Sequence, residues 1–201
     1  MSIFTSSEST LKVTILVLPE SSMLVLASMI DPMRAANRLS GSHCFTWKIV
    51  TTDGLPVKCT CGLQIKPDGK LESINNGNLL FIVSGFKQFE YISSDEIRLI
   101  GRFSLNFDAM GGVDTGAWIL GKAGLLDGKS ATTHWEDLED FADYFRGTNV
   151  QPDRFVIDED VITIGGASPT FDFMLHLIRS RLGYPAALEV ASVFVYDETH
   201  F

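Results

Sequence analysis

Four stretches of the chain carry residue types that can do chemistry. In Gly111-Gly112-Val113-Asp114-Thr115-Gly116-Ala117 a carboxylate falls between an apolar strand, Phe107 to Val113, and a helix of small residues, Thr115 to Ala123. A glycine-flanked strand-to-helix turn lifts its central side chain onto a sharp crest, where hydrolytic enzymes present a serine or cysteine. Here the crest is Asp114. As an N-cap, Asp114 would accept bonds from the first-turn N–H groups, and the positive helix end favours its ionised form. An anion fixed there favours a cationic ligand and repels an anionic one. Thr115 follows it at the helix start. His134 and Trp135 come directly after the short strand Ser130 to Thr133. His134 reads either as a ligand contact or as a local strand-end cap. Trp135 is the best single candidate for a wall around a cation; Trp118, Phe86, Phe89 and Phe171 are weaker ones that read equally well as core aromatics.

The other two stretches are turns. Gly85-Phe86 ends the apolar run Leu79 to Val83, and Gly165-Gly166-Ala167-Ser168 leads into the helix Pro169 to Leu182. The second turn has backbone N–H groups for a ligand carboxylate but lacks the lysine and spacing of a phosphate loop. Tight packing of helix on strand is its alternative role. The acids Glu136, Asp137, Glu139, Asp140 and Asp143 fall in the first turns of a helix, Trp135 to Arg146, and read as a solvated face, with no histidine interleaved at metal-ligand spacing.

These side chains need a frame. Lys12 to Leu18, Phe45 to Thr51 and Leu79 to Val83 read as strands, Met23 to Arg38 and Glu96 to Arg102 as helices, and Cys59 to Gly69 as a small hairpin. Phe155 to Asp158 and Val161 to Ile164 pair through Asp158-Glu159-Asp160. Buried strands alternating with amphipathic helices predict an α/β fold, a mostly parallel, doubly wound sheet with helices on both faces. Ligands of such sheets bind beyond the carboxyl ends of the strands. Gly85, Phe86, Asp114, His134 and the Gly165 to Ser168 turn all lie at such ends, which predicts one pocket.

With 201 residues, 45% of them apolar, the chain can bury one core. Residues 1–10 read as a disordered lead and 11–201 as a single domain. A net charge of −9 argues against a duplex-binding surface within the chain. Cys59-Thr60-Cys61 lacks the two-residue gap of zinc or thioredoxin motifs, and three cysteines suit a reducing compartment. With no secretory leader and no apolar run of about 18 residues, the expectation is a cytoplasmic protein that contacts no membrane and carries no cofactor or metal. The helix segment Leu24 to Met33 has more apolar surface than one sheet face needs, which marks either a dimer contact or a deeply buried helix.

The strings Asp114-Thr115-Gly116-Ala117-Trp118-Ile119-Leu120, Ala123-Gly124-Leu125-Leu126-Asp127-Gly128 and Ala131-Thr132-Thr133-His134-Trp135 resemble the elbow region of the PfpI/ThiJ superfamily, related to class I glutamine amidotransferases. The chain is most similar there to the sensor domains of GlxA-like AraC/XylS transcription regulators. Leu18-Pro19, the helix Asp31 to Arg38 and the segment Asp172 to Leu177 extend the likeness over nearly the whole chain. The resemblance implies a flavodoxin-like three-layer sandwich. It also implies an elbow cysteine, a histidine after the next strand and a glutamate on the first helix in enzymatic members. Here Asp114 replaces the cysteine, His134 matches the histidine, and the glutamate position falls near Val25 in a segment without acids from Ser21 to Ile30. The resemblance therefore implies an inactive sensor for a small amine or quaternary-ammonium effector such as glycine betaine, carnitine or arginine. It implies a homodimer, with DNA contacted through a helix-turn-helix domain following at about Phe201. The site residues so expected are Asp114, Thr115, His134, Trp135, Gly85, Phe86, Gly166 and Ser168. The alternatives are an amidase, hydratase or isomerase that uses Asp114 and His134 as an acid–base pair, or a dimerisation module with a vestigial pocket.

Overall fold

The computed structural model describes residues 3–7 and 9–196. The strands are β1 (Leu11–Val17), β2 (Phe45–Thr51), β3 (Val57–Lys58), β4 (Gln64–Ile65), β5 (Gly69–Lys70), β6 (Gly77–Ser84), β7 (Phe107–Asp114), β8 (Ser130–Ala131), β9 (Asn149–Val150), β10 (Phe155–Asp158) and β11 (Val161–Ile164). The helices are α1 (Met23–Ser40), α2 (Gln88–Tyr91), α3 (Ser94–Ser104), α4 (Gly116–Lys122), α5 (Leu138–Tyr144), α6 (Ala167–Leu182) and α7 (Tyr184–Val193). Seven strands form one sheet in the order β10-β11-β7-β6-β1-β2-β5. Every neighbour pair is parallel except β10 with β11. This is the mostly parallel α/β sheet that the alternation predicts, in the flavodoxin-like three-layer sandwich that the resemblance implies.

The two faces of the sheet follow from strand periodicity. Along β6, Leu79, Phe81 and Val83 join one apolar cluster with Val25, Met29 and Met33 of α1 and Phe173 and Leu177 of α6. Leu80 and Ile82 join the other, with Ile97 and Ile100 of α3, Ile119 of α4 and Phe141 of α5. Strands buried on both faces read as continuous apolar runs for this reason.

Several elements differ from the sequence reading: besides the short α2, β5 and β9, which it did not read, and the strand expected from Ser130 to Thr133, which is only Ser130–Ala131, three differences bear on the frame of the site. The helix expected from Trp135 to Arg146 is a 3-10 turn, Trp135–Asp137, followed by the seven-residue α5. Its acids recur at i, i+4 (Glu136 with Asp140, Glu139 with Asp143), where like charges disfavour a longer helix. The Cys59 to Gly69 hairpin is instead formed by β3 and β4, antiparallel through Val57↔Ile65. The sequence reading missed α7, which packs with α6 against α1. In consequence Val25, Leu26, Met29 and Met33 are buried within the fold, while Leu24 is 65% exposed. Of the lead, Met1, Ser2 and Glu8 lie outside the described residues. Ile3 is buried, and Arg181 donates to Ile3 O (3.2 Å) and Ser9 O (2.6 Å). Among the described residues no helix is long and apolar enough to cross a membrane.

Candidate functional site

The carboxyl ends of three adjacent strands meet at the elbow. Register pairs Ser84 with Asp114 and Val113 with Ile164, so the segments after β6, β7 and β11 leave the sheet at one level. The turn itself depends on glycine. A Cβ on Gly112 would lie 2.7 Å from Ala117 N, and one on Gly116 only 2.1 Å from Ile82 O. Between them Asp114 takes a left-handed conformation, φ 61°, which Asp tolerates better than most non-glycine residues.

Two hydrogen bonds fix the crest to its neighbours. Thr115 Oγ1 donates to Gly85 O (2.6 Å), and Thr133 Oγ1 donates to Asp114 O (3.2 Å). Thr115 and Thr133 are buried; the first bond is buried and the second partly so, and together they define how the strand ends meet. The helix N-cap position falls on Thr115, which makes no side-chain cap bond. Asp114 is therefore not the N-cap that its residue type suggested; its carboxylate is held instead by the Thr115 backbone N–H.

The electrostatics also depart from the sequence expectation. Burial pushes the Asp114 carboxyl up from 3.8 to about 6; His134 opposes the rise, Asp137 adds to it, the Thr115 N–H opposes it, and Glu136 adds again. The helix end was expected to keep the group an easily ionised acid, but α4 is short and desolvation outweighs it. Asp137 is itself raised, first by burial, with His134 and a hydrogen bond from Trp118 acting in the other direction.

His134 lies between Phe86 (ring centroids 6.1 Å) and Trp135 (5.9 Å). Its Nδ1 accepts the Glu136 N–H at 3.4 Å, with the Glu136 carboxylate 3.6 Å away. In the neutral ring the proton then sits on Nε2. Among the described residues no hydrogen bond joins the Asp114 and His134 side chains. Phe86 and Trp135 are 59% and 71% exposed, so neither is a core residue. Gly166, at φ 134°, faces the same ring; a Cβ there would meet His134 Cδ2 at 3.5 Å.

The structure thus gathers Gly85, Phe86, Asp114, Thr115, His134, Trp135 and Gly166 around one point. Ser168 is turned away, its Oγ accepting from Arg154 Nη2 at 2.7 Å, and Arg154 also pairs with Asp172. Trp118 is a core residue packed edge-on or tilted against Phe141, Tyr144 and Phe145. Phe171 packs on Phe194 and Tyr196, and the Phe89 side chain lies outside what is described. Sequence reasoning missed Thr133, whose signal was its place just before His134. It also missed Asp137, which reads as one more solvated acid until the 3-10 turn brings it back towards His134.

A family model described as the DJ-1/PfpI family matches residues 12–180. The chain is 35% identical over 180 residues to the HTH-type transcriptional regulator CdhR of Pseudomonas aeruginosa, covering 90% of this chain and 53% of that protein. It is 30% identical over 182 residues to the HTH-type transcriptional regulator GbdR of the same organism, covering 90% and 50%. The chain therefore spans about half the length of the curated regulators it matches. A crystal structure of an AraC family transcriptional regulator from Pseudomonas putida superposes with a TM-score of 0.82 at 24% identity, over 92% of this chain and 99% of that one; that likeness shows the fold.

Proposed function

The chain belongs to the DJ-1/PfpI family, and from that premise we propose that it is the effector-sensing domain of an AraC-type DNA-binding transcription regulator, binding a small amine or quaternary-ammonium metabolite without catalysing a reaction. The observation that carries this reading is the Asp114 carboxylate at the elbow crest, where acyl-transfer chemistry needs a hydroxyl or thiol. With its pKa near 6, Asp114 is mostly ionised at neutral pH. A cation placed beside it compensates the desolvation that raises it. Phe86 and Trp135 offer aromatic faces at the rim for the same cation.

In this reading DNA contact falls to a helix-turn-helix segment outside these 201 residues; the net charge of −9 and the naming of the relatives as HTH-type support it. A second copy completes the sensor. Leu24 at the start of α1 and Leu63 beside the hairpin are exposed, and Thr60 N–H donates to Ser21 O to tie the two together. Effector binding shifts the population between two arrangements of the pair in proportion to its differential affinity for them.

The test is thermal unfolding with choline, glycine betaine, carnitine and arginine. A ligand at about 100 times its Kd stabilises the folded chain by roughly 2.7 kcal/mol, and the shift is lost in Asp114→Ala. No shift with any of the four overturns the cation reading. A second reading, an acid–base enzyme using Asp114 and His134, draws on the same pKa near 6, within the range of general acid–base groups. It requires turnover of an amide or nitrile-type substrate with a pH profile that bends near 6 and is flat in Asp114→Asn.

A further inference from the structure

A second site is suggested by the opposite end of the sheet. β1 and β2 pair in the register Lys12↔Thr46 and Thr14↔Lys48, so these four side chains share one face. It is the face of Leu16, Val50, Leu71 and Ile74. Its cover here is the 3-10 turn Leu71–Ser73 and the loop that follows. Between sheet and loop lies a cavity of about 380 Å³ whose lining includes Lys12, Thr14, Thr46, Lys48, Asn75 and Asn76.

The only charged side chains lining this cavity are the two lysines. On neighbouring strands, two residues apart in register, their Cα atoms are about 8 Å apart by strand geometry. Neither ammonium is in an ion pair among the described residues, although the chain holds 25 acids against 16 basic residues. Thr14 lines the same cavity: the residue is only 4% exposed, and its hydroxyl, which makes no protein hydrogen bond among the described residues, opens on a polar space large enough for a ligand.

We propose that this cavity binds a small oxyanion, with Lys12 and Lys48 supplying the charge and Thr14, Asn75 and Asn76 the hydrogen bonds. Phosphate and carboxylate share that chemistry. The site is separate from the elbow and does not depend on what binds there.

The test is an amide-NMR titration of the 201-residue chain with sodium phosphate and, separately, sodium acetate, at ionic strength held constant with chloride. The expected result is a saturable shift of the Thr14, Lys48 and Asn76 signals with at least one probe. Affinity falls about tenfold in Lys12→Gln and in Lys48→Gln, and also falls in Thr14→Val, whose spectrum elsewhere reports an intact fold. Lys66→Gln, an exposed lysine outside the cavity, leaves it unchanged. Saturation by phosphate alone assigns the site to phosphoryl groups, and by acetate alone to carboxylates. Linear drift with both probes, or equal affinity in all four variants, overturns the proposal.

Discussion

Asp114→Asn tests the electrostatics of the elbow most directly. Asparagine keeps the shape and an oxygen able to accept the Thr115 N–H, and it tolerates a left-handed backbone, so the charge is the main thing removed. In the unfolded chain the carboxyl titrates near 3.8 and in the folded chain near 6. A raised acid contributes stability that is fully present below pH 3.8 and is lost as pH rises through 6. That difference corresponds to at most roughly 3 kcal/mol, or about 2 kcal/mol once partial exposure lets solvent screen the charge. Urea unfolding of both proteins from pH 4 to 8 should therefore give equal stabilities near pH 4 and a variant more stable by about 2 kcal/mol at pH 7. Ligand binding runs the opposite way. If a cation needs the ionised form, the ionised fraction rises from about 0.1 at pH 5 to about 0.9 at pH 7, and amine affinity rises about tenfold with it. A variant no more stable than the parent at pH 7, with a difference independent of pH, refutes the claim that burial dominates at Asp114.

Three further outcomes follow from particular contacts. Thr115→Val removes the donor to Gly85 O, a buried bond, and should cost about 1–3 kcal/mol in denaturant unfolding while weakening amine binding through the displaced Gly85-Phe86 rim. Trp118→Ala empties a site packed by three aromatic rings and should lower stability by about 3–5 kcal/mol, read as a shift of the urea midpoint. Ser93→Ala breaks the capping box with Glu96 at the start of α3 and should lower stability by about 1 kcal/mol, read as a shift of the urea midpoint.

The parts of the fold legible in the sequence were those whose local pattern and burial agree. β6 is apolar on both faces from Leu79 to Val83, so its run is unbroken, and β1 reads as a strand from its β-branched and apolar residues even though Lys12 and Thr14 interrupt one face. α7 gave no such signal. It starts at Gly183 with Pro185 beside the first residue, which reads as a turn, and its buried face consists only of Ala187, Val190 and Ala191. That omission had a cost elsewhere, because α1 looked too apolar only while α7 was unaccounted for. At the site, the crest position of Asp114 was readable from its glycines, but the direction of its pKa was not. The helix end is a local feature visible in sequence. The desolvation and the approach of Asp137 depend on how β6, β7 and the turn after His134 assemble.

The backbone conformation supports the proposed ligand site at the elbow. Five non-glycine residues among those described have positive φ: Glu20, Lys87, Asp114, Glu159 and Val195. Glu159 serves the tight turn between β10 and β11, and Val195 follows the end of α7. The other three stand at or within three residues of the carboxyl ends of β1, β6 and β7, which are adjacent in the sheet. Such conformations cost of order 1 kcal/mol or more each and persist only where surrounding structure over-determines them. Here the register of three parallel strands and the Thr115 and Thr133 hydrogen bonds supply that constraint. Random wear would scatter strain over surface loops. Its concentration around a partly buried carboxylate, a histidine between two aromatic rings and a glycine turn is what a preorganised binding site requires: groups fixed before the ligand arrives, so that little ordering remains to be done on binding.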